Sequence, residues 1–144
     1  MNKRGLALIG FCLLTLGGCG KSYSMEEAVK NGDIVTTPEQ HHMDRFASFL
    51  MHVDEKEKDT IRITNYTTEG DAILEDVSYD GKRFTYSLDS SRDAYGSQTD
   101  DRDKEICQNL EKRIENEQSV FFLTNCQEGE DHEILVSDAA ESEQ

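Results

Sequence analysis

The run from Ile61 to Leu88, IRITNYTTEGDAILEDVSYDGKRFTYSL, decides the fold. Ile61 and Ile63 alternate with Arg62 and Thr64, a period of two that sets one face of a strand on a core and the other in water. Glu69-Gly70-Asp71 turns the chain, and over Ala72 to Tyr79 the side chains of Ile73, Val77 and Tyr79 share a face. Asp80-Gly81 is a short hairpin signal, because a type I′ turn needs positive φ at both central residues. Phe84, Tyr86 and Leu88 then alternate on a third strand. Three strands joined by tight turns form an antiparallel meander, and its apolar face requires a second layer to cover it.

The flanking segments predict that layer. Upstream, Ser24-Met25-Glu26-Glu27 places a Ser cap three residues before a Glu, a capping box, and Gly32 closes a short helix. Thr37-Pro38-Glu39-Gln40 repeats the logic with Pro at the first helical position. The helix it opens carries Met43, Phe46, Ala47, Leu50 and Val53 on one stripe and stops at the charged break from Lys56 to Asp59. Downstream, Asp89 to Asp103 is polar and reads as a loop. Acids at Asp101 and Asp103 suit the positive end of a further helix with Ile106, Cys107, Leu110 and Ile114 as its buried stripe. Ser119 to Cys126 reads as a fourth strand, with Val120, Phe122, Thr124 and Cys126 on one side and Phe121 and Leu123 on the other. Glu133 to Val136 adds a short fifth. The expected class is α+β, with two N-terminal helices, an antiparallel three-strand meander, a helix, further strands and one disulfide. One domain over 24–136 accounts for this, and 137–144 reads as an acidic, disordered tail.

Composition narrows the function. The 144 residues hold 30 Asp and Glu against 15 Lys and Arg, a charge of −15, with no Trp and one Pro. A chain of this length is one domain. So acidic a surface is a poor ligand for phosphate backbones, whose affinity for proteins rests on Lys and Arg, and this excludes nucleic acid as a partner. Residues 1–18 differ from the rest. Lys3 and Arg4 precede an uncharged, largely apolar run from Gly5 to Leu16, too short to span a bilayer at ~20 residues, which reads as a signal peptide. Leu16-Gly17-Gly18-Cys19 resembles the lipobox of bacterial lipoproteins, in which a diacylglyceryl group joins the cysteine sulfur and the chain is cut just before it. Cys19 is therefore the expected lipidation site and new N-terminus, with 19–23 as anchor and linker. The expected location is the extracytoplasmic face of the cell membrane. Cleavage leaves 13 basic against 30 acidic residues, a charge of −17.

Ile61-Arg62-Ile63, Tyr66-Thr67-Thr68-Glu69-Gly70-Asp71, Tyr79-Asp80-Gly81, Asp89, Arg92-Asp93, Tyr95-Gly96 and the pair Cys107 and Cys126 together resemble a family of small Gram-positive lipoproteins that share a domain of unknown function. The resemblance covers Ser24 to Val136. It implies an envelope location and these domain limits, and it transfers no catalytic residue.

Four cysteines become three on cleavage and Cys19 is taken by the anchor, which leaves Cys107 and Cys126 to pair outside the cytoplasm. A redox-active thiol would want Cys-x-x-Cys or a paired His, and the sequence has neither pattern. His41, His42 and His52 lie on the long helix without the four-residue spacing of a metal pair. Asp100-Asp101-Arg102-Asp103 and the cluster Glu128, Glu130, Asp131 and Glu133 lack the ligand spacing of a calcium loop. No nucleophile elbow, P-loop or zincin motif occurs, so no catalytic residue, metal or cofactor is expected. The loop from Asp89 to Gly96 is the candidate binding segment: it joins Asp89, Arg92, Asp93 and Tyr95 on a connection, where binding residues concentrate. The competing reading pairs Arg92 with Asp89 or Asp93 and packs Tyr95 on the sheet edge. Three functions fit: a lipid-anchored binding or interaction module with a protein or cationic ligand, an inhibitor or protective protein against a cationic partner, and an envelope hydrolase.

Overall fold

A computed structural model describes residues 22–96 and 104–138. Cys19 and its apolar leader, the acids of 100–103 and residues 139–144 lie outside the described residues. The elements run α1 (Met25–Asn31), β1 (Ile34–Val35), α2 (Met43–Asp54), β2 (Asp59–Tyr66), β3 (Ala72–Tyr79), β4 (Phe84–Asp89), β5 (Glu105–Cys107), β6 (Asn109–Glu115), β7 (Gln118–Thr124) and β8 (His132–Asp138). They build a five-stranded sheet in chain order β1 to β5 and a three-stranded sheet β6-β7-β8. β1 runs parallel to β2 and the other pairs are antiparallel, so the class is α+β. Among the described residues no helix is long and apolar enough to cross a membrane.

The meander sits at the centre of the larger sheet. Ile61 faces Val77, Val77 faces Tyr86 and Tyr79 faces Phe84, so the alternating apolar residues of three strands fall in one layer. Helix α1 opens at Ser24, whose Oγ accepts the Glu27 N–H at 3.2 Å, and closes at Gly32 with φ 84°. α2 lays Phe46 and Phe49 on the meander. Each buried phenyl ring contributes about 2–3 kcal/mol by removing apolar surface from water. Phe46 meets Phe121 edge-on at 4.9 Å between centroids, and Phe49 meets Phe84 at 6.5 Å. α2 and the small sheet therefore cover the large sheet jointly.

Four expectations need correction. α2 begins at Met43 rather than near Pro38, because Val35 and His41 exchange backbone hydrogen bonds of 3.1 and 2.9 Å and hold the intervening segment against β1. Asp80-Gly81 does not make a two-residue turn. Only Gly81 has positive φ, and Asp80 Oδ1 accepts the N–H groups of Lys82 and Arg83 at 2.8 Å each, which closes a four-residue loop. The helix expected from about residue 101 onward is absent from the described part, 104–115. That segment forms β5, paired with β4, and β6, paired along its whole length with β7. Asn116 and Glu117, at φ 50° and 67°, make the tight turn that lets β6 fold back on β7. Cys107 and Leu110 still reach the core, whereas Ile114 is exposed. β7 does alternate, with Phe121 and Leu123 buried on one side and Phe122 under the Arg113 guanidinium at 4.3 Å; the register shift at Phe121/Phe122 falls in its pairing with β8. β8 extends through Asp138 and Ser137 is buried, so both belong to the folded body rather than to a tail starting at 137.

Cys107 and Cys126 are bonded as the cysteine arithmetic requires. With β5 in the large sheet and Cys126 just past β7, the bridge joins the two sheets instead of a helix and a strand. Its 19-residue separation corresponds to about 3 kcal/mol on the chain-entropy view.

Candidate functional site

The chain ahead of α1, the connection after β1 and the β2–β3 turn meet at one end of the large sheet. Thr67 N–H donates to Asp71 O at 2.9 Å, Gly70 N–H donates back to Thr67 O at 2.9 Å, and Gly70 takes φ 91° to close the turn. Thr37 Oγ1 accepts the Tyr66 N–H at 3.4 Å, and Thr36 Oγ1 donates to Asn65 Oδ1, which pins the Pro38 connection to the end of β2. Tyr23 is fixed by its hydroxyl. It donates to Asp33 Oδ2 at 2.7 Å and accepts from Asn31 Nδ2 at 3.0 Å, while Thr64 Oγ1 donates to the same Asp33 oxygen at 2.8 Å.

Between these segments lies a groove of about 730 Å³, lined chiefly by the apolar surfaces of Tyr23, Met25, Pro38, Tyr66 and Gly70, with Ser22 also in its lining. The Tyr66 hydroxyl is buried and has no hydrogen-bond partner among the described residues. Burial, with the Tyr23 and Asp33 charges adding to it, pushes its pKa up to about 12, so it is a neutral hydroxyl. A buried unpaired hydroxyl costs about 1–3 kcal/mol of lost hydration, and a ligand that hydrogen-bonds it recovers that energy.

The loop from Asp89 to Gly96 borders this groove. Arg92 Nη1 donates to Asp89 Oδ2 at 2.6 Å, and its guanidinium lies 6.0 Å from the centroid of the Tyr23 ring. Partial burial would raise the Asp89 pKa, but hydrogen bonds from Ser91 and Arg92 outweigh it and hold the carboxyl at about 2. Asp93 Oδ1 accepts the N–H groups of Tyr95 and Gly96 at 3.0 and 2.8 Å, so Asp93 shapes the loop. Ala94 N–H donates to Asp71 Oδ2 at 3.0 Å and ties the loop to the β2–β3 turn. Tyr95 is 84% exposed and does not pack on the sheet edge. Asp89 and Arg92 thus form a pair against Tyr23, while Tyr95 stands in solvent.

A second polar cluster, which the sequence reading did not single out, is buried between the sheets. Glu75 lies on the same face of β3 as Val77 and Tyr79; it accepts the Tyr86 hydroxyl at 3.0 Å and Asn65 Nδ2 at 3.2 Å. Burial pushes its carboxyl from 4.5 up to about 7. Tyr86 stacks on His132, and His132 Nε2 lies 2.6 Å from Glu105 Oε2. Of the three histidines expected on the long helix only His52 lies in α2: His41 sits in the bridge to Val35, His42 precedes the helix with Nε2 3.0 Å from Val29 O, and His52 Nδ1 is 2.8 Å from Asp59 Oδ2. In the cluster at 128–133, Asp131 accepts from Arg113 at 2.9 Å and so serves an ion pair.

Residues 30–122 match the family described as a domain of unknown function, DUF4362, and the chain belongs to that family. The match takes in the Pro38 connection, Tyr66, Gly70 and the loop from Asp89 to Gly96. It begins after Tyr23 and ends inside β7. No curated protein and no solved structure matches the chain.

Proposed function

We propose that this member of the DUF4362 family is a lipid-anchored, extracytoplasmic binding module whose ligand enters the Tyr23–Tyr66 groove. The observation that carries the reading is the groove itself: a mostly apolar lining that includes Tyr66, whose hydroxyl is buried and unpaired among the described residues, with Arg92 beside the Tyr23 ring. Sites that take small or extended ligands are mostly apolar with a few placed polar groups. The ligand chemistry that fits is an apolar body bearing one group that hydrogen-bonds the Tyr66 hydroxyl. Arg92, beside Tyr23, and the exposed Tyr95 on the same loop are residue types that commonly dominate interface energy. The lipobox supplies the location. Ser22 already lines the groove and is three residues from Cys19, so at ~3.5 Å per residue the groove lies about 10 Å of chain from the acylated cysteine.

A photo-crosslinking residue at the exposed Thr68, in the anchored chain on intact membranes, should give a defined adduct. The double variant Arg92→Ala/Tyr95→Ala should lose the adduct with Tm nearly unchanged, because the Arg92–Asp89 pair is partly exposed and such pairs contribute about 1 kcal/mol or less. No adduct at Thr68 refutes the groove. Capture that collapses with rising salt regardless of Tyr66→Phe favours the second reading, in which the −17 body blocks a cationic partner.

A further inference from the structure

The disulfide has neighbours that a purely structural staple does not require. Cys107 closes β5, Cys126 follows β7, and a ring nitrogen of His132 at the start of β8 lies within 4.8 Å of both sulfurs. The imidazole is fixed from two sides. It stacks on Tyr86 with centroids 4.4 Å apart, and its Nε2 is 2.6 Å from Glu105 Oε2. The other Glu105 oxygen accepts the Glu128 N–H at 2.7 Å, so the carboxylate is itself held in place. Cys107 is fully buried, whereas the His132 side chain keeps 24% of its surface, which leaves a way in from solvent. Two sulfurs and an imidazole form the donor set that selects zinc-class cations over calcium or magnesium. With Nε2 engaged by Glu105, Nδ1 is the nitrogen left for a metal, and a carboxylate on the opposite ring nitrogen is the arrangement that orients metal-binding histidines.

We propose that Cys107, Cys126 and His132 form a redox-gated site for a thiophilic divalent cation of the zinc class, with Glu105 as a positioning residue. The site is open when the cysteines are thiols, the state in which the chain is made, and closed when they are joined. On metal uptake each thiol gives up its S–H proton to solvent and forms a sulfur–metal bond, two protons in all, and His132 donates a ring lone pair. Closure by thiol–disulfide exchange with a disulfide oxidant carries two electrons and two protons from the two thiols to that oxidant, forms the Cys107–Cys126 bond and leaves no thiolate to bind. Reopening needs a dithiol reductant: thiol–disulfide exchange breaks the Cys107–Cys126 bond, forms the reductant's own disulfide, and carries two electrons and two protons to the chain. In the open state the sulfurs separate to about 3.8 Å, the spacing of two ligands at ~2.3 Å on a tetrahedral ion.

The test uses the full-length chain, reduced with a phosphine, desalted without oxygen and titrated with Co²⁺, while circular dichroism follows the fold. The reduced chain should take up one Co²⁺ with a thiolate-to-cobalt charge-transfer band that Zn²⁺ bleaches, whether it was folded beforehand or refolds on binding. The oxidised chain and Cys107→Ser/Cys126→Ser should show no band. His132→Gln and Glu105→Gln, shown to fold in the oxidised form, should each bind at least tenfold more weakly. Absence of the band in the reduced chain overturns the proposal. A band that His132→Gln leaves at full affinity also overturns it, since two thiolates alone would then suffice.

Discussion

Replacing Glu75 with Gln should abolish most of the fall in stability between pH 4.5 and 7. Glu75 is 7% exposed, flanked by Ile63 on β2 and Leu88 on β4. Burial raises its carboxyl from 4.5 to about 7, against the hydrogen bonds from Tyr86 and Asn65, and the nearby Glu133 charge acts in the same direction as burial. Both hydrogen-bond partners are neutral, so neither offers a positive charge to offset ionisation. A separation of about 2.5 units between the unfolded and folded values corresponds, at ~1.4 kcal/mol per unit, to about 3 kcal/mol. The folded chain binds this proton more tightly than the unfolded chain. The contribution is therefore complete below about 4.5 and is lost as pH rises through about 7. Asp59 and Asp89, held at about 2, act in a different window: their contribution is present above the ordinary carboxylate value and lost as pH falls toward 2. Urea unfolding at pH 4.5, 5.5, 6.5 and 8 should show the wild-type chain losing about 3 kcal/mol more than Glu75→Gln across that range. Groups common to both proteins cancel in the difference. Parallel curves would refute the reasoning, because they would mean that Glu75 is hydrated or paired and ionises normally.

Alkylation of the unfolded, unreduced chain should find no free thiol at Cys107 or Cys126, and Ser at either position should lower unfolding stability by a similar ~2–5 kcal/mol. Asp59→Asn should cost about 2 kcal/mol at pH 7, because Arg45 gives that carboxylate two hydrogen bonds of 2.9 and 2.5 Å and His52 a contact of 2.8 Å. The same variant should flatten the stability curve between pH 4 and 2, the interval in which the wild-type carboxyl takes up its proton. Cys19→Ala should abolish fatty-acid labelling and cleavage before residue 19, and labelling that survives would refute the lipobox reading.

The meander was legible because its apolar residues alternate on all three strands, with Glu75 the one break in β3, and because each strand pairs with the next, so local pattern and tertiary contact agree. The segment after it was misread for a specific reason. Ile106, Cys107, Leu110 and Ile114 recur at helical spacing, yet only Cys107 and Leu110 reach the core, and the spacing of the other two follows no buried face. The deciding feature was the turn at Asn116 and Glu117, both in the left-handed region. Asn is common there and Glu is not, so the pair does not announce a hairpin as Asn-Gly does. Asp80-Gly81 did announce one, and the Asp80 side chain built a longer loop instead. The start of α2 was displaced by a bridge between Val35 and His41, a backbone pairing across Pro38 that a helix-cap pattern does not report.

The candidate sites divide along the same line. The loop from Asp89 to Gly96 was visible because a polar, Gly-ended connection carrying Arg and Tyr is a local property. The groove was not visible: Tyr23, Pro38 and Tyr66 come from three separate stretches, and only the pairing of β1 with β2 brings the second to the third. Glu75 did leave a trace, as the single acid in the series Ile73, Glu75, Val77 and Tyr79, where alternation calls for an apolar residue. An acid at such a position costs stability when ionised, so its presence calls for an explanation in the surrounding chemistry. That surrounding is the seam between the sheets, where Tyr86 touches Glu75 on one side and His132 on the other. His132 in turn meets Glu105 and lies against the two sulfurs. Protonation at Glu75 and thiol oxidation at Cys107 and Cys126 therefore act on opposite ends of one side-chain series. If the seam transmits between them, the midpoint of the Glu75 titration should move when the disulfide is reduced, and it should stay put if Tyr86 merely fills space.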